Sequence, residues 1–288
     1  MGTIGKVFQQ TAKLLGPHRK LWIPFLVTAL VEAVLILGVW LAPHPPFANV
    51  LAPPLRYFFG DRILHYPWHL WFLYHVMKHT HLIATTLVGA FMTGIACLMV
   101  RQAHAGEPLS IREALVGRRV RYGTVLFLWL LAWGLTNGAL DAIARFSPKA
   151  SWVVWAAVGS ALVLQALLVY AIPAVVYEGS SWWRALLQAV HETLRHPFST
   201  FVIVLLSSLP VILFAAVASE SRVADGMLKT APEWAVAFVA GRLAIWTIAD
   251  TLMTVAIAHL WWLHRAPQLS AVPQHSGPVA TTQDQALA

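Results

Sequence analysis

Six apolar stretches, each long enough to cross a lipid bilayer as a helix, constrain this chain more than any other feature of its sequence. A bilayer core about 30 Å thick needs about 20 consecutive apolar residues in a helix. The six stretches cover residues 22–42, 82–100, 124–143, 152–176, 201–218 and 234–263. They predict an all-α, polytopic membrane protein with six transmembrane helices.

The amino-acid composition supports the same class. Apolar residues make up 58% of the chain and charged residues 11%, whereas an ordinary soluble domain is about 25% charged. This balance excludes a soluble enzyme and a disordered chain, and the single cysteine, Cys97, excludes an intrachain disulfide. The sequence contains no phosphate-binding loop, nucleophile elbow or HExxH motif, which favours a non-enzymatic role. An enzyme whose catalytic site is assembled from residues of distant spans remains an alternative interpretation.

The distribution of basic residues predicts the orientation. Twelve Lys and Arg residues flank the six stretches on the side of the N-terminus, and seven flank them on the opposite side. Because cytoplasmic loops carry the excess of positive charge, both termini are expected in the cytoplasm. The net charge of +8 is therefore attributed to topology and to contact with anionic lipid, and no nucleic-acid partner is expected.

Residues 1–265 are predicted to form the membrane domain, and residues 266–288, rich in Pro, Gln, Ser and Thr, a disordered cytoplasmic tail. Three amphipathic or basic segments, 7–15, 110–116 and 181–190, each precede a predicted span on the cytoplasmic side. Ser110 and Glu113 have the spacing of a capping box, which indicates that a helix begins there. The simplest architecture is a weak three-fold repeat, in which each unit is an interfacial helix followed by a helical hairpin.

One segment carries a family resemblance. In residues 173–186, a span ends in Pro173 and small apolar residues, followed by Glu178-Gly179 and an Ala-Leu helix, and the turn 194–197 reads Leu-Arg-His-Pro. This pattern resembles the bacterial YciC-type inner-membrane proteins and the related membrane domain of glycerophosphodiester phosphodiesterases. The resemblance implies a six-span α-helical membrane domain in a bacterial inner membrane, and it assigns no catalytic residue. With no phosphodiesterase domain appended, we expect no hydrolysis of lipid diesters.

Polar side chains inside the predicted spans are candidates for function, because each ionisable group costs about 2.5–3.5 kcal/mol to insert. Depth along the helices predicts a midplane cluster of Glu32, Gln165 and Asp250, and an ion pair between Arg242 and Asp141. The candidate set is Glu32, Asn137, Asp141, Gln165, Arg242 and Asp250. Two interpretations stay open: a polar network that holds the bundle together, and a path for a proton or a substrate in which two carboxylates share a proton.

A second candidate is a group of histidines between the first two predicted spans: His65, His69, His75, His79 and His81. Two pairs among them are four residues apart, which places two imidazoles on one face of a helix, as in many metal sites. The surrounding residues are aromatic, so the alternative is a membrane-surface segment on the outer face. No haem-attachment motif is present.

Three functions remain open from the sequence. The first is a component of transport or membrane homeostasis that uses the buried polar cluster. The second is a non-catalytic scaffold or assembly subunit, with a membrane protein or a second copy of the chain as its partner. The third is a protein that binds a metal or haem through the outer histidines. Apart from that third alternative, no cofactor is predicted, and the lipid bilayer is the one constant partner.

Overall fold

The structure is a computed structural model that describes residues 2–113, 121–146, 152–219, 231 and 233–270. At some helix positions, among them His75 and Asp141, it describes the backbone alone. The described residues are helical and include no strand, so the all-α class is confirmed for this part of the chain.

Most of the described residues lie in α-helices. In chain order, they are α1 (Gly2–Leu15), α2 (Ile23–Leu41), α3 (Ala48–Phe59), α4 (Trp68–Ala84), α5 (Ala90–Ala105), α6 (Tyr122–Phe146), α7 (Trp152–Leu168), α8 (Ala171–Glu178), α9 (Trp182–Arg195), α10 (Pro197–Ser219) and α11 (Trp234–Ser270). Short 3₁₀ turns, Arg19–Trp22 and Asp61–Leu64, precede α2 and α4.

Five stretches of helix among the described residues are long and apolar enough to cross a membrane: Arg19–Leu41, His79–Ala105, Trp155–Glu178, Pro197–Phe214 and Trp234–Arg265. These are compatible with an integral membrane protein. The predicted span 124–143 coincides with α6, a continuous helix of 25 residues that is not among the five. The count of six spans therefore stays a prediction.

The aromatic segment before the second predicted span belongs to that span's own helix. Helix α4 begins at Trp68 and passes through a single π-helical turn, Thr85–Gly89, directly into α5. Leu70, Leu73 and Met77 of α4 are buried, and α4 packs against α2 and α11. The segment is thus part of the bundle rather than a separate helix lying over it.

Helix α7 ends and α8 begins inside the predicted span 152–176. Pro173 has no N–H to donate to the carbonyl of residue 169, and its ring crowds that carbonyl. The helix is accordingly interrupted before Ala171, and the backbone N–H of Ala174 bonds to the carbonyl of Tyr170 at 3.0 Å. The Tyr170 hydroxyl lies 2.9 Å from the hydroxyl of Thr200, which ties this break to α10.

Helix α11 is the central element of the fold. It packs against α10, α5, α4, α2, α1 and α8. Its largest buried side chain, Trp261, is 1% exposed and joins the main core with Tyr170, Met99 and Ile203. The helix continues to Ser270, past residue 265, where the membrane domain was predicted to end. Residues 271–288 of the predicted tail lie outside the described residues.

Two of the three predicted interfacial segments are amphipathic helices. Helix α1 buries Val7, Thr11 and Leu15 on one face, and α9 buries Ala185 and Ala189. The third segment, 110–116, is described only as far as Glu113, where the backbone N–H of that residue donates to the Ser110 hydroxyl oxygen at 3.2 Å, as the capping spacing predicts. The position of these helices at the membrane surface stays a prediction.

Candidate functional site

A small cavity between the helices contains two of the predicted carboxylates. Its volume is about 50 Å³, which is enough for about three water molecules at roughly 10–15 Å³ each. Helices α2, α4, α5, α6 and α11 and the π-helical turn all contribute to its wall. The lining residues are Phe25, Thr28, Ala29, Glu32, His81, Thr85, Gly89, Thr93, Trp129, Leu243, Trp246, Thr247 and Asp250.

Glu32 and His81 form the strongest polar contact in this cavity. The Nδ1 atom of His81 lies 2.9 Å from Oε2 of Glu32, and the side chains are 19% and 3% exposed, respectively. The other carboxylate oxygen, Glu32 Oε1, is buried and has no hydrogen-bond partner among the described residues. A buried carboxylate with one satisfied and one open oxygen can accept a further proton or hydrogen bond from within the cavity.

Asp250 is the third ionisable side chain that lines the cavity. It interacts electrostatically with both His81 and Glu32. Trp246, one turn earlier on α11, packs its ring against the imidazole of His81 with centroids 4.5 Å apart. Glu32 and Asp250, two members of the predicted midplane cluster, line the same cavity as His81, which the sequence analysis placed in a different group.

Four threonines supply further oxygen atoms to the cavity wall. Each hydroxyl donates to the backbone carbonyl four residues earlier in its own helix: Thr28 to Pro24 at 3.1 Å, Thr85 to His81 at 2.6 Å, Thr93 to Gly89 at 2.8 Å and Thr247 to Leu243 at 2.8 Å. Since the hydroxyl hydrogen is used within the helix, the oxygen lone pairs remain as acceptors. The cavity wall is consequently rich in hydrogen-bond acceptors.

The π-helical turn brings α2 close to this site. A Cβ atom added at Gly89 would lie 3.2 Å from Cγ2 of Thr28 and 3.3 Å from Cβ of Thr85, so a side chain here would have to push these neighbours back by a few tenths of an ångström. Single π-helical turns inside α-helices occur frequently at functional sites. Here the turn places Thr85 and Gly89, as well as His81 one turn before it, along the same cavity.

The other predicted polar residues lie elsewhere. The amide nitrogen of Gln165 is 3.1 Å from the sulfur of Met253, and that of Asn137 donates to the carbonyl of Trp133 at 2.9 Å. Arg242 is half-buried on α11 and does not line the cavity. The side chain of Asp141 lies outside the described residues, so the pairing of Arg242 with Asp141 stays a prediction.

The outer histidines do not meet in one group. His65 precedes α4, and its Nε2 atom lies 3.2 Å from an oxygen of Asp61. His69 is half-buried, which lowers its pKa, and its ring packs edge-on against His44. His79 is exposed, and His81 contacts Glu32. The side chain of His75 lies outside the described residues. Among the histidine side chains that are described here, no three bring ligand atoms close together, and the metal or haem hypothesis for this group stays a prediction.

His259, in the second half of α11, is buried. Its Nδ1 atom lies 2.8 Å from Nε2 of His104, and its Nε2 atom lies 3.1 Å from the amide oxygen of Gln10. The two imidazoles are stacked with centroids 4.8 Å apart. This contact links α1, α5 and α11 and is a structural polar network of the kind expected between apolar helices.

The cavity residues missed from the sequence follow a spacing that could have identified them. His81, Thr85, Gly89 and Thr93 are each four positions apart, so they form a polar stripe along one helix face. On α11, the cavity face consists of Leu243, Trp246, Thr247 and Asp250. Such a stripe is a weak signal, because isolated threonines are common in membrane helices.

Taken together, the site consists of two carboxylates, one imidazole and several acceptor oxygens around a small cavity among apolar helices. This arrangement can hold and transfer a proton, and it can bind a small cation or water. No protein-family model, curated protein or solved structure matches this chain. The resemblance to YciC-type proteins accordingly stays a prediction.

Proposed function

We propose that the protein is a component of membrane transport in which Glu32, His81 and Asp250 bind and release a proton during the transport step. The observation that carries this proposal is the convergence of the three ionisable groups on one cavity, with Glu32 Oε1 buried and without a partner among the described residues. Ionisable groups inside apolar helices are expensive and are typical of proton relays and substrate paths.

The contact between His81 and Glu32 provides a simple proton-transfer step. When the pair holds one proton, it rests either on His81 Nδ1, giving an imidazolium beside a carboxylate, or on Glu32 Oε2, giving two neutral groups. A second carboxylate, Asp250, lines the same cavity. The cavity has room for water that could connect the three groups.

Two properties favour transport over a purely structural network. A structural network would satisfy its polar atoms, as His259, His104 and Gln10 do, whereas the Glu32 carboxylate has an open oxygen in a cavity. The π-helical turn beside the site also supplies a local irregularity at which α4 and α5 can change their relative rotation.

Proton flux into proteoliposomes tests the proposal. The full chain would be reconstituted with a pH-sensitive dye inside the vesicles, and a membrane potential would be imposed with potassium and valinomycin. We expect flux above that of empty vesicles, reduced at least about tenfold in Glu32→Gln and in Asp250→Asn. Glu107→Gln, the same chemical change at an exposed position, should give the same proton flux as the unchanged chain.

Infrared difference spectra on changing the pH provide a readout that needs no substrate. Protonation of a carboxylate produces a carbonyl band, and we expect a band that is lost in Glu32→Gln or Asp250→Asn and kept in Glu107→Gln. Absence of flux above empty vesicles, together with spectra that neither variant changes, would overturn the proposal.

A further inference from the structure

We propose that Glu192, His196 and His264 form a binding site for a transition-metal ion, with zinc as the best fit, at the junction of α9, α10 and α11. One ligand atom from each of the three residues lies within 4.8 Å of the others, and they are the one such group of His, Cys, Asp and Glu side chains in the described part of the chain. The site is separate from the outer histidines and from the Glu32 cavity, and the inference does not depend on the proposed function.

The local structure explains how the three residues meet. Glu192 lies in the last turn of α9, which ends at Arg195, and His196 occupies the single position between α9 and α10. Its backbone, with φ −131° and ψ 52°, leaves the helical path, and its carbonyl accepts a hydrogen bond from the Thr200 hydroxyl at 2.9 Å. His264 reaches the same place from α11, and the two imidazoles stack with centroids 4.0 Å apart.

The carboxylate of Glu192 has an open position for a cation. The side chain is 4% exposed, and Nη2 of Arg265 lies 2.9 Å from Oε1. The second oxygen, Oε2, is buried and has no hydrogen-bond partner among the described residues. An unsatisfied buried carboxylate oxygen is costly, and a metal ion bound through Oε2 would remove that cost while Arg265 keeps Oε1 fixed.

The local charge is compatible with a divalent cation. Glu178 lies on the other side of Arg265, with 3.8 Å between its Oε1 atom and Nε of the arginine. Two carboxylates therefore surround one guanidinium, and Arg195 places a second positive charge near His264, so the group carries no net charge when the imidazoles are neutral. Neutral imidazole is also the form that ligates a metal.

The ligand set selects the class of metal. Two imidazole nitrogens and one carboxylate oxygen suit zinc, which accepts nitrogen and oxygen ligands in tetrahedral geometry, whereas magnesium and calcium prefer oxygen ligands alone. Ligand atoms around a tetrahedral zinc lie about 3.4 Å apart, so the three ligand atoms, which lie within 4.8 Å of one another, would approach by up to about 1.4 Å on binding the metal. With three protein ligands, a fourth position is left for water.

Zinc binding to the full chain in detergent tests this assignment. After treatment with a chelator, the protein would be titrated with zinc against a chromophoric competitor, and bound zinc would be counted by elemental analysis. We expect about one zinc per chain. Loss of a second-shell partner weakens metal binding by about 10–100-fold, so removal of a ligand in His196→Ala or His264→Ala should weaken it by about 100-fold or more.

Two controls separate this site from other histidines and from unfolding. His191→Ala removes an exposed imidazole adjacent to Glu192, and the combined change of His65, His69, His75 and His79 to Ala removes the outer histidines that do not contact Glu32. Both should bind zinc as the unchanged chain does. Zinc should raise the melting temperature of the unchanged chain and of His191→Ala but not of His264→Ala.

Cobalt provides an independent readout, because cobalt in a tetrahedral nitrogen and oxygen site absorbs visible light strongly. We expect this absorption in the unchanged chain and its loss in His264→Ala. The proposal is overturned if the unchanged chain binds no zinc in competition, or if its affinity survives in both His196→Ala and His264→Ala. Binding lost only with the outer histidines would assign the metal to that group instead.

Discussion

The imidazole of His81 and the carboxylate of Glu32 lie 2.9 Å apart although 49 positions separate them in the sequence. Glu32 is 2% exposed, so His81 takes the place of water at one of its oxygens. The contact connects α2 to α4 immediately before the π-helical turn. It is therefore both a link between two helices and the ionisable centre of the cavity.

Removal of the imidazole should destabilise the fold. In His81→Leu, the Glu32 carboxyl group loses its hydrogen-bond partner, and we expect the free energy of unfolding to fall by about 1–3 kcal/mol. Unfolding of the purified chain in mixed detergent micelles would measure this change. His79→Leu, at an exposed position two residues earlier, should have little effect. Equal stability of the two variants would contradict the structural role of the contact.

The close approach of α2 to the π-helical turn predicts a steric effect at Gly89. Gly89→Val places side-chain atoms within 3.2–3.3 Å of Thr28 and Thr85, and overpacking of this kind costs about 1–3 kcal/mol. The same change at Gly138, where a Cβ meets no other atom within 4 Å, serves as the control. The melting temperatures should fall for Gly89→Val and change little for Gly138→Val; the opposite order would exclude tight packing at Gly89.

The predicted orientation can be measured with cysteine labelling. Cys97 is 0% exposed, so the unchanged chain should not react with a membrane-impermeant maleimide. Cysteines introduced at the exposed residues Asp61 and Glu107 lie on opposite sides of the bilayer if both termini are cytoplasmic. D61C should then react in intact cells, and E107C only after the membrane is opened. The reverse pattern would invert the orientation.

The segment before α4 contains an acid whose ionisation is shifted by its neighbours. A hydrogen bond with His65 and the nearby charge of Arg56 lower the pKa of Asp61 below its ordinary value of 3.8. The Arg56 Nε atom lies 2.7 Å from Oδ1 of Asp61. Because the pKa is lowered in the fold, the stabilisation is present above the ordinary value and is lost as the pH falls through the lowered value.

Carbon NMR of aspartate-labelled protein would follow this titration. We expect the pKa of Asp61 to rise toward 3.8 in His65→Ala, since the hydrogen bond from His65 is its largest cause. Arg56→Gln should also raise it. An unchanged Asp61 titration in His65→Ala would show that the two side chains do not interact in solution.

The apolar pattern predicted much of the fold because burial in lipid requires long, uninterrupted helices. Helices α2, α10 and α11 begin and end near the predicted boundaries of their spans. The prediction failed where a helix continued through polar or aromatic residues, as at Trp68–Leu82, since imidazole and indole groups can be covered by neighbouring helices. It also missed the break before Ala171, although Pro173 was visible in the sequence.

The candidate site was predicted in part, for a physical reason. The depth of a residue in the bilayer follows from its position along the helix, so Glu32 and Asp250 were predicted to lie at a similar depth. Rotation of one helix against another depends on packing, and hence Gln165 faces Met253 instead of the cavity. His81 was assigned to the outer histidines because the span was expected to begin after it, and the meeting of Glu192 with His264 depends on how α9 and α11 pack.

The central position of α11 has a consequence for how the protein is made. Of the helices that line the cavity, α2 leaves the ribosome first, so Glu32 is made well before His81 and Asp250. Asp250, on the last of the described helices, arrives only when the rest of the cavity wall is already in place. A carboxylate that enters the membrane before its partners is costly, so we expect the nascent chain to need a membrane insertase or chaperone. Interruption of synthesis before α11 would leave a chain in which this cavity lacks one wall.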